Sequence, residues 1–421
     1  MLAGAAMCAV GTCVGLEPSQ ATPAFSTHER TAATIYPHEW APFRHRYITP
    51  EGRVVDREKD GVSHSESQSY GLLLAVKAND QPTFDRILDF TFSEMRVRRD
   101  ELVSWLYEPG ASPAVTDRNN ASDGDVMVAY ALLKAAMAWD EPRYVSLAKP
   151  IVDDIGRLLL TRQGDHVILR PAAFGFDRGH HQDGPVLNLS YFIYGALLKF
   201  ETISPRHPFR EAWQSGLQLT QAAVSAYGGH APDWVTLRSE RFLEPAEGFK
   251  PHSSYDAVRI PLFMLMGGHV PREFLVPFDQ TWNVRGSNVP VDVNLATRRA
   301  VMAMNEPGYR AIAALTACAV RGVPIPSSVQ RFRLGTYFSS ALHLMALSTA
   351  RTYMPQCVGG RTHMGSQRAV PTGERVPTIR AASARERSPR RLTLDEMPGF
   401  DAPLAPREVS IAHHGSHFSM R

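Results

Sequence analysis

Cysteine is scarce: four residues in 421, two of them (Cys8 and Cys13) inside the first sixteen. The other two, Cys318 and Cys357, are too few and too far apart for a metal-binding cluster or a disulfide framework. A single bridge between them stays open, while Cys318 reads as a small apolar residue buried in a helix. No metal and no cofactor is expected. An excess of one charge is also missing. Lys and Arg number 45 against 42 Asp and Glu, a formal net charge of +3, too balanced for a nucleic-acid-binding surface. The apolar stretch Leu2 to Leu16 falls short of the roughly 20 residues that cross a bilayer, so no membrane span is expected in the mature chain. With 44% hydrophobic and 21% charged residues, wholesale disorder and a collagen-like fibre are excluded.

What charge there is sits unevenly. Residues 351–421 hold eleven Arg, no Lys and six acids, a local +5, so the first 350 residues carry −2. From Tyr353 onward no apolar period survives, and residues 353–421 are expected to form a disordered Arg-rich tail. At the other end, residues 1–16 are uncharged and apolar, and Ser19, Ala21 and Ala24 suit a signal peptidase. Residues 1–24 are therefore expected to be an export signal, although its basic n-region is missing, with the mature protein periplasmic or secreted.

Between these ends, residues 30–352 are expected to form one domain. Strand signals are sparse. Tyr70 to Val76, Val126 to Leu133, Leu189 to Leu198, Ala257 to Met266 and Tyr337 to Leu347 are apolar on nearly every side, the mark of enclosed helices. Between them come one-sided patterns: Phe84, Ile87, Leu88, Thr91 and Met95, then Tyr144, Leu147, Ala148, Ile151, Ile155, Leu158 and Leu159. Alternating enclosed and one-sided helices predict two concentric layers, an all-α (α/α) barrel. No fixed-length repeat supports a solenoid.

Three acids open three of the enclosed helices. Ser65 reads as an N-cap with Gln68 completing a capping box, which puts Glu66 in the first turn. Ser122 reads as the N-cap before Asp123, and Asp256 falls in the first turn of another helix. One such acid alone is ordinary helix capping. Three at the same end of parallel inner helices converge, among aromatics suited to stacking on sugars or bases: Trp105, Tyr107, Tyr191, Trp234 and Tyr255. Paired carboxylates suit glycoside hydrolysis, one protonating the leaving oxygen and one activating water or attacking carbon. The helix dipole favours an ionised carboxylate, whereas a general acid must keep its proton, so apolar walls and an ionised Asp123 would have to outweigh it.

Ala121-Ser-Asp-Gly-Asp-Val-Met-Val-Ala-Tyr through Trp139 resembles the signature of glycoside hydrolase family 8, with Val128 in place of the usual Ile or Met. Ser63-His-Ser-Glu-Ser-Gln-Ser-Tyr70 resembles the segment bearing that family's proton donor, with Ser67 where Gly is common, and Ser254-Tyr-Asp-Ala-Val-Arg259 the segment bearing its base. Gly52-Arg-Val-Val-Asp56, Asn188-Leu-Ser-Tyr191 and Pro232-Asp-Trp234 extend the resemblance over roughly residues 38 to 350. Within the family, Gly52 to Val76 is nearest the endoglucanases that accompany bacterial cellulose synthase. The resemblance implies an (α/α)6 barrel that cleaves internal β-1,4-glucan bonds with inversion, with Glu66 as general acid and Asp256 as general base. Asp123 would hold the sugar at the cleavage point. Tyr191 and Arg259 would orient water and Asp256, though a structural salt bridge serves Arg259 as well. Trp105 and Trp234 become candidate stacking subsites, while Trp139 fits the core. The implied partners are a β-1,4-glucan and, through that subgroup, the cellulose synthase complex. Hydrolysis of β-1,3-1,4-glucan, chitosan or xylan, and a glucan-binding assembly role with little turnover, remain alternatives.

Overall fold

A computed structural model describes residues 33–181, 183–239 and 242–359. The segment expected as an export signal, and residues 360–421 of the expected tail, lie outside it.

Among the described residues twelve α-helices follow the predicted alternation. Six form an inner ring: α2 (Ser65–Lys77), α4 (Ser122–Trp139), α6 (Tyr194–Ile203), α8 (Ile260–Leu265), α10 (Pro307–Arg321) and α12 (Tyr337–Tyr353). Each packs on the next, and α12 returns to α2, closing an (α/α)6 barrel. The outer helices are α1 (Pro37–Tyr47), α3 (Gln81–Phe90), α5 (Pro142–Asp154), α7 (Phe209–Ala226), α9 (Val276–Trp282) and the short α11 (Ser327–Gln330). α2, α4 and α12 are buried along most of their length because neighbours surround them. α3 and α5 bury one stripe: Phe84, Ile87 and Leu88 in the first, Tyr144, Ala148 and Ile151 in the second.

Several boundaries differ from the sequence expectation. The run Leu189 to Leu198 is a 3₁₀ turn, Leu189–Tyr191, then a two-residue break before α6. Asn188 Oδ1 causes the early start by accepting from Ser190 N at 3.0 Å and Ser190 Oγ at 2.7 Å. Ala257 to Met266 likewise divides into a 3₁₀ turn, Ala257–Arg259, and α8. The one-sided pattern reaching Met95 crosses a π-helical turn, Thr91–Met95, where Thr91 Oγ1 donates to the Ile87 carbonyl at 2.7 Å. Among the described residues ten short strands in four antiparallel sheets fill the connections, though few strand signals were legible. Of these, β1 (Ser63–His64) pairs with β2 (Leu106–Tyr107), and β8 (His252–Ser253) leads into the Asp256 turn.

The folded chain passes the expected boundary at residue 352. α12 ends at Tyr353 and a 3₁₀ turn, Pro355–Val358, follows. Its Cys357 is disulfide-bonded to Cys318, which is indeed buried in α10, so the bridge left open from the sequence is formed. The sequence could not reveal that residues 39 apart bring their Cα atoms to 6.0 Å.

Candidate active site

Each acid reaches one end of the barrel by a different local route. Ser65 is the first residue of α2 rather than its cap, and its N–H donates to the Trp105 carbonyl at 2.9 Å. The cap belongs one residue earlier, where Ser67 Oγ accepts from the His64 N–H at 2.9 Å. Gln68 does not close a capping box. It turns inward, taking the Val54 N–H at 2.5 Å and donating to Thr91 Oγ1 at 2.9 Å. Glu66 still lies in the first turn. Ser122 too is the first helical residue, with Asp123 next. A Cβ on Gly124 would overlap Ser65, so only glycine lets α4 start this close to α2. Asp256 stands just before the 3₁₀ turn, not in the first turn of α8.

Arg259 gathers the three. Buried, it donates through Nη1 to Glu66, to Tyr70 Oη at 3.0 Å and to Asp123 Oδ2 at 3.3 Å. Through Nη2 it donates to Ser190 Oγ at 2.9 Å and Asp256 Oδ1 at 2.5 Å. Because one guanidinium spans Glu66 and Asp256, their facing oxygens lie within about 7 Å of each other. The side chains of Glu66 and Asp256 are 23% and 16% exposed and that of Asp123 only 5%, so water and substrate reach the outer two first. Burial pushes Asp123 up to about 7, with Glu66 and Asp256 adding to the shift and Arg259 opposing it. Burial first, and then the nearby carboxylates, hold Tyr70 and Tyr191 far above the usual phenol range, so both stay protonated.

Glu66, Asp123, Asp256, Arg259 and Tyr191 line a cleft of about 710 Å³ including its open mouth. Trp105 lines it, its Nε1 fixed by Asp117 at 2.8 Å and its ring parallel to His64 at 6.0 Å. Tyr191 and Trp234 also line it. The Trp234 ring is 5% exposed and stacked parallel to Phe249 and Phe176, leaving little face for a sugar. Tyr107 and Tyr255 are not in the cleft lining: Tyr107 packs edge-on against Phe90 at 5.2 Å and Tyr255 against Tyr309 at 5.8 Å. Trp139 packs on Phe84 and Tyr144.

Sequence reasoning passed over three residues that hold the site in shape. Asp233, inside the quoted Pro232-Asp-Trp234, accepts from Ser254 N, Ser254 Oγ and Ala257 N at 2.8, 2.5 and 2.9 Å, clamping the turn that carries Asp256. Asp125 accepts from Val103 N and Asn120 Nδ2, both at 2.7 Å, and Asn120 lines the cleft. Burial pushes both carboxyls up to about 7. Their signal was a second acid beside a recognised motif. Among the described residues no cluster of His, Cys, Asp and Glu could hold a metal ion, and no helix is long and apolar enough to cross a membrane.

Three carboxylates gathered around one cleft at one end of an (α/α)6 barrel suit glycoside hydrolysis, and its relatives make the chain a glycoside hydrolase. The model of the glycosyl hydrolases family 8 matches residues 14–352, beginning inside the stretch expected as an export signal. The chain belongs to that family. It is 35% identical over 280 residues to the "Probable endoglucanase" of Novacetimonas hansenii, covering 66% of this chain and 81% of that one. With an endoglucanase of Cellulomonas uda it shares 34% over 243 residues, 56% of this chain and 66% of that one. An endo-beta-1,4-glucanase structure from Acetobacter xylinum superposes with a TM-score of 0.67 at 33% identity, over 76% of this chain and 98% of that one.

Proposed function

We propose that the protein is an endo-β-1,4-glucanase that hydrolyses internal bonds of a β-1,4-glucan with inversion. The carrying observation is the gathering of Glu66, Asp123 and Asp256 by Arg259 at the floor of one open cleft. The endoglucanase relatives supply the substrate class. Glu66, the most exposed of the three, protonates the leaving glycosidic oxygen. Asp256, clamped by Asp233 and paired with Arg259, removes a proton from the attacking water, which adds to the anomeric carbon from the opposite face. Asp123, deepest, binds the sugar at the cleavage point and faces the positive charge developing there. Tyr191 lines the same space and orients the water.

The proposal includes export to the periplasm or beyond, consistent with a disulfide that persists in an oxidising compartment, and service beside the bacterial cellulose synthase complex. In the test, Glu66→Gln and Asp256→Asn each abolish carboxymethylcellulose hydrolysis while leaving the circular dichroism melt intact. Proton NMR of the first product shows the α-anomer. Full activity in both variants, or an initial β-anomer, overturns the reading. A panel adding β-1,3-1,4-glucan, chitosan and xylan ranks the substrates.

A further inference from the structure

Phe174 is 48% exposed, an unusual position for a phenylalanine ring. Its neighbours make the position informative. Pro171, Ala172 and Phe176, on either side of it in the same loop, all line the catalytic cleft. The loop is fixed from beneath. Asn120 Oδ1 accepts from the Ala173 N–H at 2.7 Å, and Asn119 Nδ2 donates to the Phe174 carbonyl at 3.0 Å. Asn119 is fully buried, and its own carbonyl accepts from the Trp105 N–H at 2.9 Å. One buried asparagine therefore holds the backbones of both Trp105, already in the cleft, and Phe174, at its rim. With its backbone fixed, an exposed aromatic side chain meets a flat apolar face with only its own rotamers left to order.

We propose that Phe174 forms a distal glycan-binding site that stacks on the apolar face of a pyranose ring, along a line from Trp105 past Asn119 to the cleft rim. The proposal rests on the glucan-hydrolase reading of the cleft. It assigns Phe174 to sugars beyond those held at the carboxylates, so its contribution depends on substrate length.

The experiment measures kcat/KM of the full chain, Phe174→Ala and Phe174→Trp on cellotriose through cellohexaose and on carboxymethylcellulose. Phe174→Ala is expected to lose about 3- to 10-fold on cellohexaose and the polymer, through KM, and less than about 2-fold on cellotriose. Phe174→Trp restores the long-chain value. A loss of the same size at every length, or none at any length, overturns the distal site. Titration calorimetry with cellohexaose in the Glu66→Gln background, with and without Phe174→Ala, reads binding apart from turnover. A Phe174-dependent affinity in a wild-type chain that hydrolyses nothing overturns only the hydrolase reading. Wild-type turnover without a length-dependent loss overturns only the distal site. No binding of cellohexaose overturns both.

Discussion

Replacing Arg259 with methionine isolates what holds the acid cluster together. The guanidinium is buried and reaches three carboxylates, a phenol and a serine, so the variant strands the buried Asp123, Tyr70 and Ser190 without that cation's hydrogen bonds. Breaking a buried pair by removing one partner costs about 3–5 kcal/mol. At roughly 2–4 °C per kcal/mol, the melting temperature at pH 7.5 should fall by about 6–20 °C. The loss should depend on pH. In the wild type Asp123 titrates near 7 against an ordinary 3.8, so the native state holds a proton that the unfolded chain has released between those values. Stability from this group is highest below that window, declines as pH rises through it and levels off above about 7. Without the cation, Asp123 loses the guanidinium that opposes its upward shift. Acidification then neutralises the stranded charges, and the deficit relative to wild type should shrink between pH 7.5 and 4.5. Scanning calorimetry of both proteins across that range makes the comparison. A deficit that stays constant would show that Arg259 acts by packing alone and would refute the charge argument.

Asp233→Ala should lower kcat roughly 100-fold with KM within about 2-fold, because displacing a catalytic group by about 1 Å has that effect. Asp233→Asn keeps the Oδ1 acceptor for Ser254 N and Ala257 N and should recover most of the rate; equal damage in both variants would count against a positioning role. Cys357→Ser opens a loop of 39 residues' separation and should destabilise the fold by about 4 kcal/mol, read as a lower denaturant midpoint that reductant reproduces in wild type; unchanged midpoints would refute the bridge.

The convergence of Glu66 and Asp123 was legible because each opens a helix apolar on nearly every side, a pattern set by both neighbouring layers at once; Asp256 joins them from just before a 3₁₀ turn. Gln68 misled for the opposite reason. Ser65 and Gln68 match a capping box locally, but the Val54 N–H that Gln68 accepts comes from 14 residues earlier, outside any helical window. Tyr107 and Tyr255 are aromatic and near the acids in sequence, yet Phe90 and Tyr309 take up their rings. Phe174 left no signal at all: it lies in a loop without periodicity, and only Asn119 and Asn120, more than 50 residues earlier, fix its place. What a local pattern encodes is where a helix starts. Which side chain then faces the cleft is decided by partners that the chain supplies from elsewhere.

The small net charge gains a different meaning from this geometry. The first 350 residues carry only −2, yet three carboxylates are packed around one guanidinium, two of them in the first turns of inner helices. Burial, and then the neighbouring Glu66 and Asp256, raise Asp123, the least exposed of the group, against the opposing Arg259. A positive centre developing at the anomeric carbon would supply the charge that the free cluster lacks. Asp123 then gains most from the transition state and least from the neutral ground state, which is the differential stabilisation a hydrolase of a neutral glucan requires. A basic cleft, in contrast, would hold Asp123 ionised from the start and surrender that difference.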